Sequence, residues 1–152
     1  MSLASVRAYF AAHAPDVAIL ESPDSSATVA LAAQAYGVEP DRIAKTLALR
    51  VGARSFLIVA SGVARLDNKK LKAFFGGKAR LLDADETLAL TGHPVGGVCP
   101  FGLASPLAVY CDLSLSAFDQ VVPAAGSPNS ALRISPQRMA ALVDAEWADV
   151  CG

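Results

Sequence analysis

Few residues in this chain are of a type and spacing suited to chemistry, and they gather at two places. The first is Thr91-Gly-His-Pro-Val-Gly-Gly-Val-Cys-Pro-Phe-Gly-Leu103, a stretch without a formal charge apart from His93. Glycine admits positive φ and lets a ligand approach bare backbone. Pro94 and Pro100 fix φ and remove donors, so they stiffen the segment. Such a loop either holds a small polar ligand through its amides or is an ordinary tight connection. The second place is Lys45. In Ile43-Ala-Lys-Thr-Leu-Ala-Leu-Arg50 a period of two puts Ile43, Lys45, Leu47 and Leu49 on one strand face, and Ala44, Thr46, Ala48 and Arg50 on the other. An ammonium left unpaired among apolar neighbours is costly. Lys45 therefore either snorkels to water or projects into a pocket at the strand's end, where it meets an anionic or carbonyl group.

Other chemistries fit less well. A thiol nucleophile would need Cys99 or Cys111 beside His13 or His93. His93 and Cys99 share the loop, but no helix N-terminus follows Cys99 to depress its pKa, and a buried structural thiol is the better reading. No Gly-Lys-Ser/Thr follows the glycines, so this is not a phosphate-cradling P-loop. Carboxylates are scattered over helices and turns, with Asp67 and Asp112 reading as a cap and a strand-end charge, so a paired acid/base site is not supported. Three cysteines without a C-x-x-C, and two scattered histidines, give no metal site. No cofactor is expected.

The totals bound the class. The chain has 152 residues, a size for one domain, read here as residues 1–152, with a real core. At 53% hydrophobic and 18% charged it is too apolar for disorder. No apolar run approaches the ~20 residues of a membrane helix, and the N-terminus lacks the pattern of a secretory signal. A reducing, cytoplasmic setting is expected. Net charge is −1, from 13 basic and 14 acidic residues. That balance argues against a protein that grips duplex nucleic acid along its backbone, and no DNA partner is expected. A nucleic-acid partner would be met at an end or through a small basic patch. The one basic concentration is Lys69, Lys70, Lys72, Lys78 and Arg80, which reads as a solvated helix face or as a phosphate contact.

These residues must be positioned by a mixture of elements. Apolar periodicity, caps and Gly/Pro stops predict helices over 3–13, 28–36, 67–75, 83–90 and from Ser135-Pro136 to about 145. Strands are expected at 17–20, 43–50, 55–61, 79–82, 107–112, 120–123 and 131–134, with a hairpin at 51–54 and a helical turn at 115–118. Interspersed helices and strands joined by short turns indicate an α+β fold around a mixed sheet.

Four stretches then combine. Arg42-Ile-Ala-Lys-Thr-Leu47 is followed by Val59-Ala-Ser-Gly-Val-Ala-Arg-Leu-Asp67 running into a Lys-rich helix. Gly96-Gly-Val-Cys-Pro-Phe-Gly102 comes next, and then the Ala125-Gly126 turn before a short strand. In this order they resemble the YbaK/ProX family of trans-editing aminoacyl-tRNA deacylases, related to the insertion domain of bacterial prolyl-tRNA synthetases. The resemblance implies a mixed sheet, partly closed and flanked by helices, with no metal. It implies hydrolysis of the ester joining a wrong amino acid to the 3′ CCA end of a tRNA, most often tRNA(Pro), with prolyl-tRNA synthetase as a further partner. Lys45 matches the catalytic-site lysine, and Gly96, Gly97, Val98, Cys99 and Pro100 match the substrate loop. His93, Phe101 and Gly102 flank it. Thr28 resembles a position near the pocket and can equally cap a helix. Cys99 stands where many relatives carry Ser, which suits a role in pocket size. Small apolar neighbours favour a small residue such as Ala, 2-aminobutyrate or Cys. The rival reading is a non-catalytic module that binds a tRNA end or a small ligand.

Overall fold

The computed structural model describes residues 2–152. In chain order it contains α1 (Ser2–His13), β1 (Leu20–Glu21), α2 (Val29–Tyr36), β2 (Ile43–Val51), β3 (Arg54–Ser61), α3 (Asn68–Phe75), β4 (Arg80–Leu81) and α4 (Ala84–Thr91). These are followed by β5 (Ala108–Asp112), β6 (Val122–Pro123), β7 (Ser130–Ala131), α5 (Pro136–Leu142) and β8 (Glu146–Ala148).

The helices begin where side chains replace missing backbone acceptors. Thr28 caps α2 through Leu31 N–H, Asp67 caps α3 through Lys69 and Lys70 N–H, and Ser135 caps α5 with Pro136 in the first turn. Asp83 and Glu86 form a capping box on α4. Gly37, Gly76 and Gly92 end α2, α3 and α4 in left-handed geometry.

β2 and β3 form a long antiparallel hairpin through a two-residue turn, from Val51–Arg54 to Ala44–Ser61. β5 pairs parallel with β3, and β8 parallel with β5. On its other edge β2 meets two short strands end to end: β6, parallel, at Ile43 and Ala44, and β4, antiparallel, at Leu49 and Arg50. The sheet is therefore mixed and the fold α+β, as expected. Bridges Val121–Ile134 and Ala124–Ala131 lead on to the small, separate β1–β7 pair.

Several expectations shift, the strands expected at 120–123 and 131–134 shortening to Val122–Pro123 and Ser130–Ala131. The last helix stops at Leu142, and Glu146–Ala148 turns back as β8. Val17–Leu20 is a strand only at its end, where Leu20 and Glu21 pair β7.

The faces of β2 also differ from the simple alternation. Ala44 and Ala48 are buried in the main core with Val6, Phe10, Phe101 and Leu132, while Leu49 packs with Phe56, Ile58, Leu71 and Phe75 on the opposite face. Both faces are covered, so apolarity alone does not pick out an inner one. What distinguishes them is size: the Ala44–Thr46–Ala48 face is made of small residues, and the room left at this edge of the sheet is bordered by residues of both faces.

Candidate functional site

That room is a cavity of about 340 Å³ against the outer edge of β2. Its floor is the strand itself, from Ile43 to Ala48. Leu81, Leu82 and Thr87 close one end, and Val122, Ala124, Ser130 and Ala131 the other. Facing the floor are Ser26, Ala27 and Thr28 from the lead into α2, and Val95, Gly96 and Val98 from the glycine loop.

The cavity exists because the sheet edge is interrupted. β6 uses β2 at Ile43–Ala44 and β4 uses it at Leu49–Arg50, and Leu82 N–H reaches the Ala48 carbonyl at 2.9 Å. Among the described residues no strand covers the edge between Lys45 and Leu47. In an antiparallel ladder alternate residues turn their N–H and C=O to opposite edges. The Ala48 carbonyl points away from β3, so the backbone of Thr46, two residues earlier, does the same and opens into the gap. The Thr46 hydroxyl oxygen is buried there without a hydrogen-bond partner among the described residues. Buried polar atoms are seldom left so, because an unmade bond costs ~1–3 kcal/mol. The sequence reading missed Thr46. Its signal was present: a hydroxyl on the Ala face of β2, next to Lys45.

Gly96 lets the two facing walls close on each other. It sits at φ +89°, and a Cβ there would lie 2.7 Å from the Ala27 side chain. Loop and α2 lead-in thus touch across the mouth, with Thr28 both capping α2 and lining the cavity. The amides of Gly96 and Val98 have no hydrogen-bond acceptor among the described residues, whereas Gly97 N–H is used on Pro94 O at 2.9 Å.

Lys45 is the one ionisable side chain in the lining. Its Nζ donates to Ala64 O at 2.5 Å and Gly62 O at 3.3 Å, in the turn before α3. An ammonium has three donors, so one remains. Burial pushes its pKa below the ordinary lysine value. The Cys151 thiol opposes that shift, and the nearby Arg65 charge adds to it. The amine is thus not in bulk water. It shares the cavity with Gly96 and Val98 but is anchored to the 62–64 turn rather than to the glycine loop.

The remaining loop residues form the wall behind. Cys99, His93 and Phe101 are fully buried and Gly97 and Pro100 are buried too, while Gly102 backs onto α1. None of the six lines the cavity. His93 Nε2–H donates to Phe101 O at 2.7 Å, and Nδ1 lies 2.9 Å from the Ser2 hydroxyl, which itself donates to the Gly126 carbonyl. Burial pushes the His93 pKa down, and the bond to the Phe101 carbonyl opposes that shift. Cys99 Sγ lies 3.6 Å from that ring, and burial raises its pKa to about 12. A thiolate nucleophile at Cys99 is therefore unsupported: the Cys–His pair fastens the loop to α1. Gly97 packs so closely that a Cβ would stand 2.6 Å from Ser127 N.

Comparison with known proteins decides the family. Residues 24–142 match the aminoacyl-tRNA editing domain. The chain belongs to that family. This editing domain is 48% identical over 153 residues to the uncharacterized protein YwhH of Bacillus subtilis (strain 168), covering 99% of this chain and 98% of that protein. It superimposes with a TM-score of 0.92 and 33% identity on a crystal structure described as a candidate trans-editing enzyme for prolyl tRNA synthetase, covering 99% of this chain and 97% of the other. It also matches the hypothetical protein APE2540, with a TM-score of 0.90 and 31% identity, covering 97% and 99%. Among the described residues no helix of the editing domain is long and apolar enough to cross a membrane.

Proposed function

We propose that this editing domain hydrolyses the ester of a mischarged aminoacyl-tRNA in trans, most plainly a tRNA(Pro) carrying Ala, 2-aminobutyrate or Cys. The observation that carries this reading is the composition of the cavity: free amides at Gly96 and Val98, an unpartnered hydroxyl at Thr46, an open strand edge, and a single cation. The 3′ end enters where the edge of β2 is left open, beside the contact between the loop and the α2 lead-in. The amides of Gly96 and Val98 polarise the ester carbonyl and take up the charge that develops on its oxygen, a role in which losing one donor typically costs ~10²–10³ in rate. The remaining N–H of Lys45 meets the ester region or the terminal nucleotide's phosphate. Thr46 and the open edge receive the aminoacyl part.

The lining holds no His, Cys, Asp or Glu. Attack therefore falls to a water positioned by the site, aided by the adjacent ribose hydroxyl of the substrate. Its oxygen bonds to the carbonyl carbon, the bond to the ribose oxygen breaks, and that oxygen leaves with a proton as the free tRNA hydroxyl. Positioning supplies much of the barrier reduction in such a site. Val95, Val98, Val122 and the alanines bound a small apolar volume, and discrimination by one methylene in such a pocket is worth only ~10–200-fold. Similarity to the candidate trans-editing enzyme for prolyl tRNA synthetase supports tRNA(Pro) and a synthetase partner.

The test is a deacylation panel with Ala-, Cys- and Pro-tRNA(Pro) and Ala-tRNA(Ala). Loss of the ester on Ala- or Cys-tRNA(Pro), with Pro-tRNA(Pro) spared, is expected. Protection of every ester from spontaneous hydrolysis would instead identify a binding module.

A further inference from the structure

The basic residues of this chain are not used evenly. Of the 13 Lys and Arg, nine have a partner. Arg7, Arg42, Arg50, Lys70, Arg80 and Arg138 pair with Glu21, Asp119, Glu86, Asp149, Glu86 and Asp16. Lys45, Arg54 and Arg133 donate to backbone carbonyls. The other four are Arg65, Lys69, Lys72 and Lys78. Their side chains have no hydrogen bond or ion pair among the described residues, and all four are exposed. A chain of near-zero net charge thus concentrates its uncommitted cations between residues 65 and 78. The acid in that span, Asp67, is spent on capping α3.

Structure sharpens what composition suggested. Lys70 and Arg80 drop out of the basic cluster because Asp149 and Glu86 neutralise them, and Arg65 joins it. Lys69 and Lys72 are three residues apart and so are neighbours on α3. Lys72 and Lys78 line a second recess with Asn68 and Ala79. The track also connects to the cavity. The carbonyls that hold Lys45 belong to Gly62 and Ala64, and Arg65 follows at once, close enough for its charge to act on the Lys45 ammonium. Val63, 61% exposed, sits between them as an apolar step.

We infer that Arg65, Lys69, Lys72 and Lys78 form a landing track for the phosphate backbone of RNA leading away from the Lys45 cavity. Resting on the function proposed above, the RNA is the stem of the molecule whose acylated end occupies the cavity. Exposed cations with no acid to satisfy them suit phosphates, because neutralising a phosphate releases counterions and makes binding salt-dependent. α3 is eight residues long, about 12 Å at the helical rise, so it can meet several successive phosphates.

The experiment is to measure affinity for uncharged tRNA over a salt series, by fluorescence anisotropy, for wild type, Lys72→Ala/Lys78→Ala and Arg7→Ala. A parallel assay follows hydrolysis of Ala-tRNA(Pro) and of a short alanyl-CCA ester. Loss of two phosphate contacts should reduce the slope of log K against log[salt] by roughly 1.4–1.8. Arg7→Ala, whose partner Glu21 lies in β1, should leave the slope unchanged. The double variant should slow the tRNA reaction at sub-saturating substrate and leave the alanyl-CCA reaction intact. An unchanged slope would overturn the track, and so would an equal loss on both substrates. So would binding to vesicles of anionic lipid by a protein that ignores RNA. If wild type binds tRNA with the expected slope but cleaves no ester, the track stands and the proposed hydrolysis fails.

Discussion

Two segments border the cavity and are built in opposite ways. The glycine loop, residues 91–103, is apolar and fastened from behind by buried side chains: Cys99 and His93 against Phe101 and Ser2, and Gly97 against Gly126 and Ser127. The 62–67 turn exposes Val63 and Arg65, carries the charged pair Arg65 and Asp67, and is fastened by backbone bonds instead. Gly62 N–H reaches Ile43 O at 2.7 Å, Asp67 N–H reaches Val150 O at 2.9 Å, and Lys45 grips two of its carbonyls. One segment presents shape and amides, the other charge. Rigidity is placed where a reacting carbonyl must be held closely. A charged border suits a place where a polyanion has only to be steered.

The largest expected effect comes from pushing on the loop's rear wall. Gly97→Ala sets a Cβ against the backbone of Gly126 and Ser127, where no side chain can swing away. Overpacking of this kind costs about 3 kcal/mol, and thermal denaturation should fall by roughly 6–12 °C for a domain of this size. Deacylation should fall with it. A variant as stable as wild type would mean the loop moves freely and is not the rigid partner.

Lys45→Ala should abolish turnover while lowering stability far less than Gly97→Ala, because the 62–67 turn keeps its own backbone bonds. Lys45→Arg separates charge from shape: it keeps the cation but cannot reproduce a compact ammonium between two carbonyls. Single-turnover hydrolysis of Ala-tRNA(Pro) reads both. Full activity in Lys45→Ala would remove the cation from the mechanism.

Cys99→Ser should spare turnover. It sets a hydroxyl in a fully buried site 3.7 Å from Phe101 O, too far for a normal hydrogen bond, so a stability cost of about 1–3 kcal/mol is expected. Deacylation should persist at a rate close to that of wild type. Inactivation without unfolding would revive a thiol mechanism.

The smallest effect concerns the far end of the cavity. Glu86 binds Arg80 and Arg50, which ties α4 to β4 and β2. Arg80, with the Asp83 amide and Arg50, lowers the Glu86 pKa to about 2. A depressed carboxylate stabilises the fold above its unfolded pKa, and that contribution is lost as pH falls through the folded value. The stability advantage of wild type over Glu86→Gln should therefore be constant near neutrality. It should shrink between about pH 4.5 and 2, as followed by urea denaturation.

Much of the fold was legible because its signals are local. Thr28, Asp67, Asp83 and Ser135-Pro136 announce helix starts, and Gly37 and Gly76 announce ends. β8 was hidden because Glu146-Trp-Ala148 is too short to show a period, and its pairing with β5 is a matter of tertiary packing. The cavity was half legible. Lys45, Gly96 and Val98 stand out by type, but Thr46 becomes notable only once β4 and β6 leave the edge of β2 open between them. Cys99 was read as a buried structural thiol, but the inward turn of His93 and Phe101 was invisible, since a loop without periodicity does not reveal which side chains it buries. The basic cluster was legible as composition, but which of its charges are spoken for depends on Asp149 and Glu86, distant or on another element.

A chamber whose lining titrates at only one position, a lysine, has a simple relation to its medium. Two opposed ionisations are what bend a rate profile into a bell, and here the second is missing. Catalysis should climb monotonically with hydroxide until the amine discharges, and alkylating reagents aimed at thiols should find nothing in the chamber to modify.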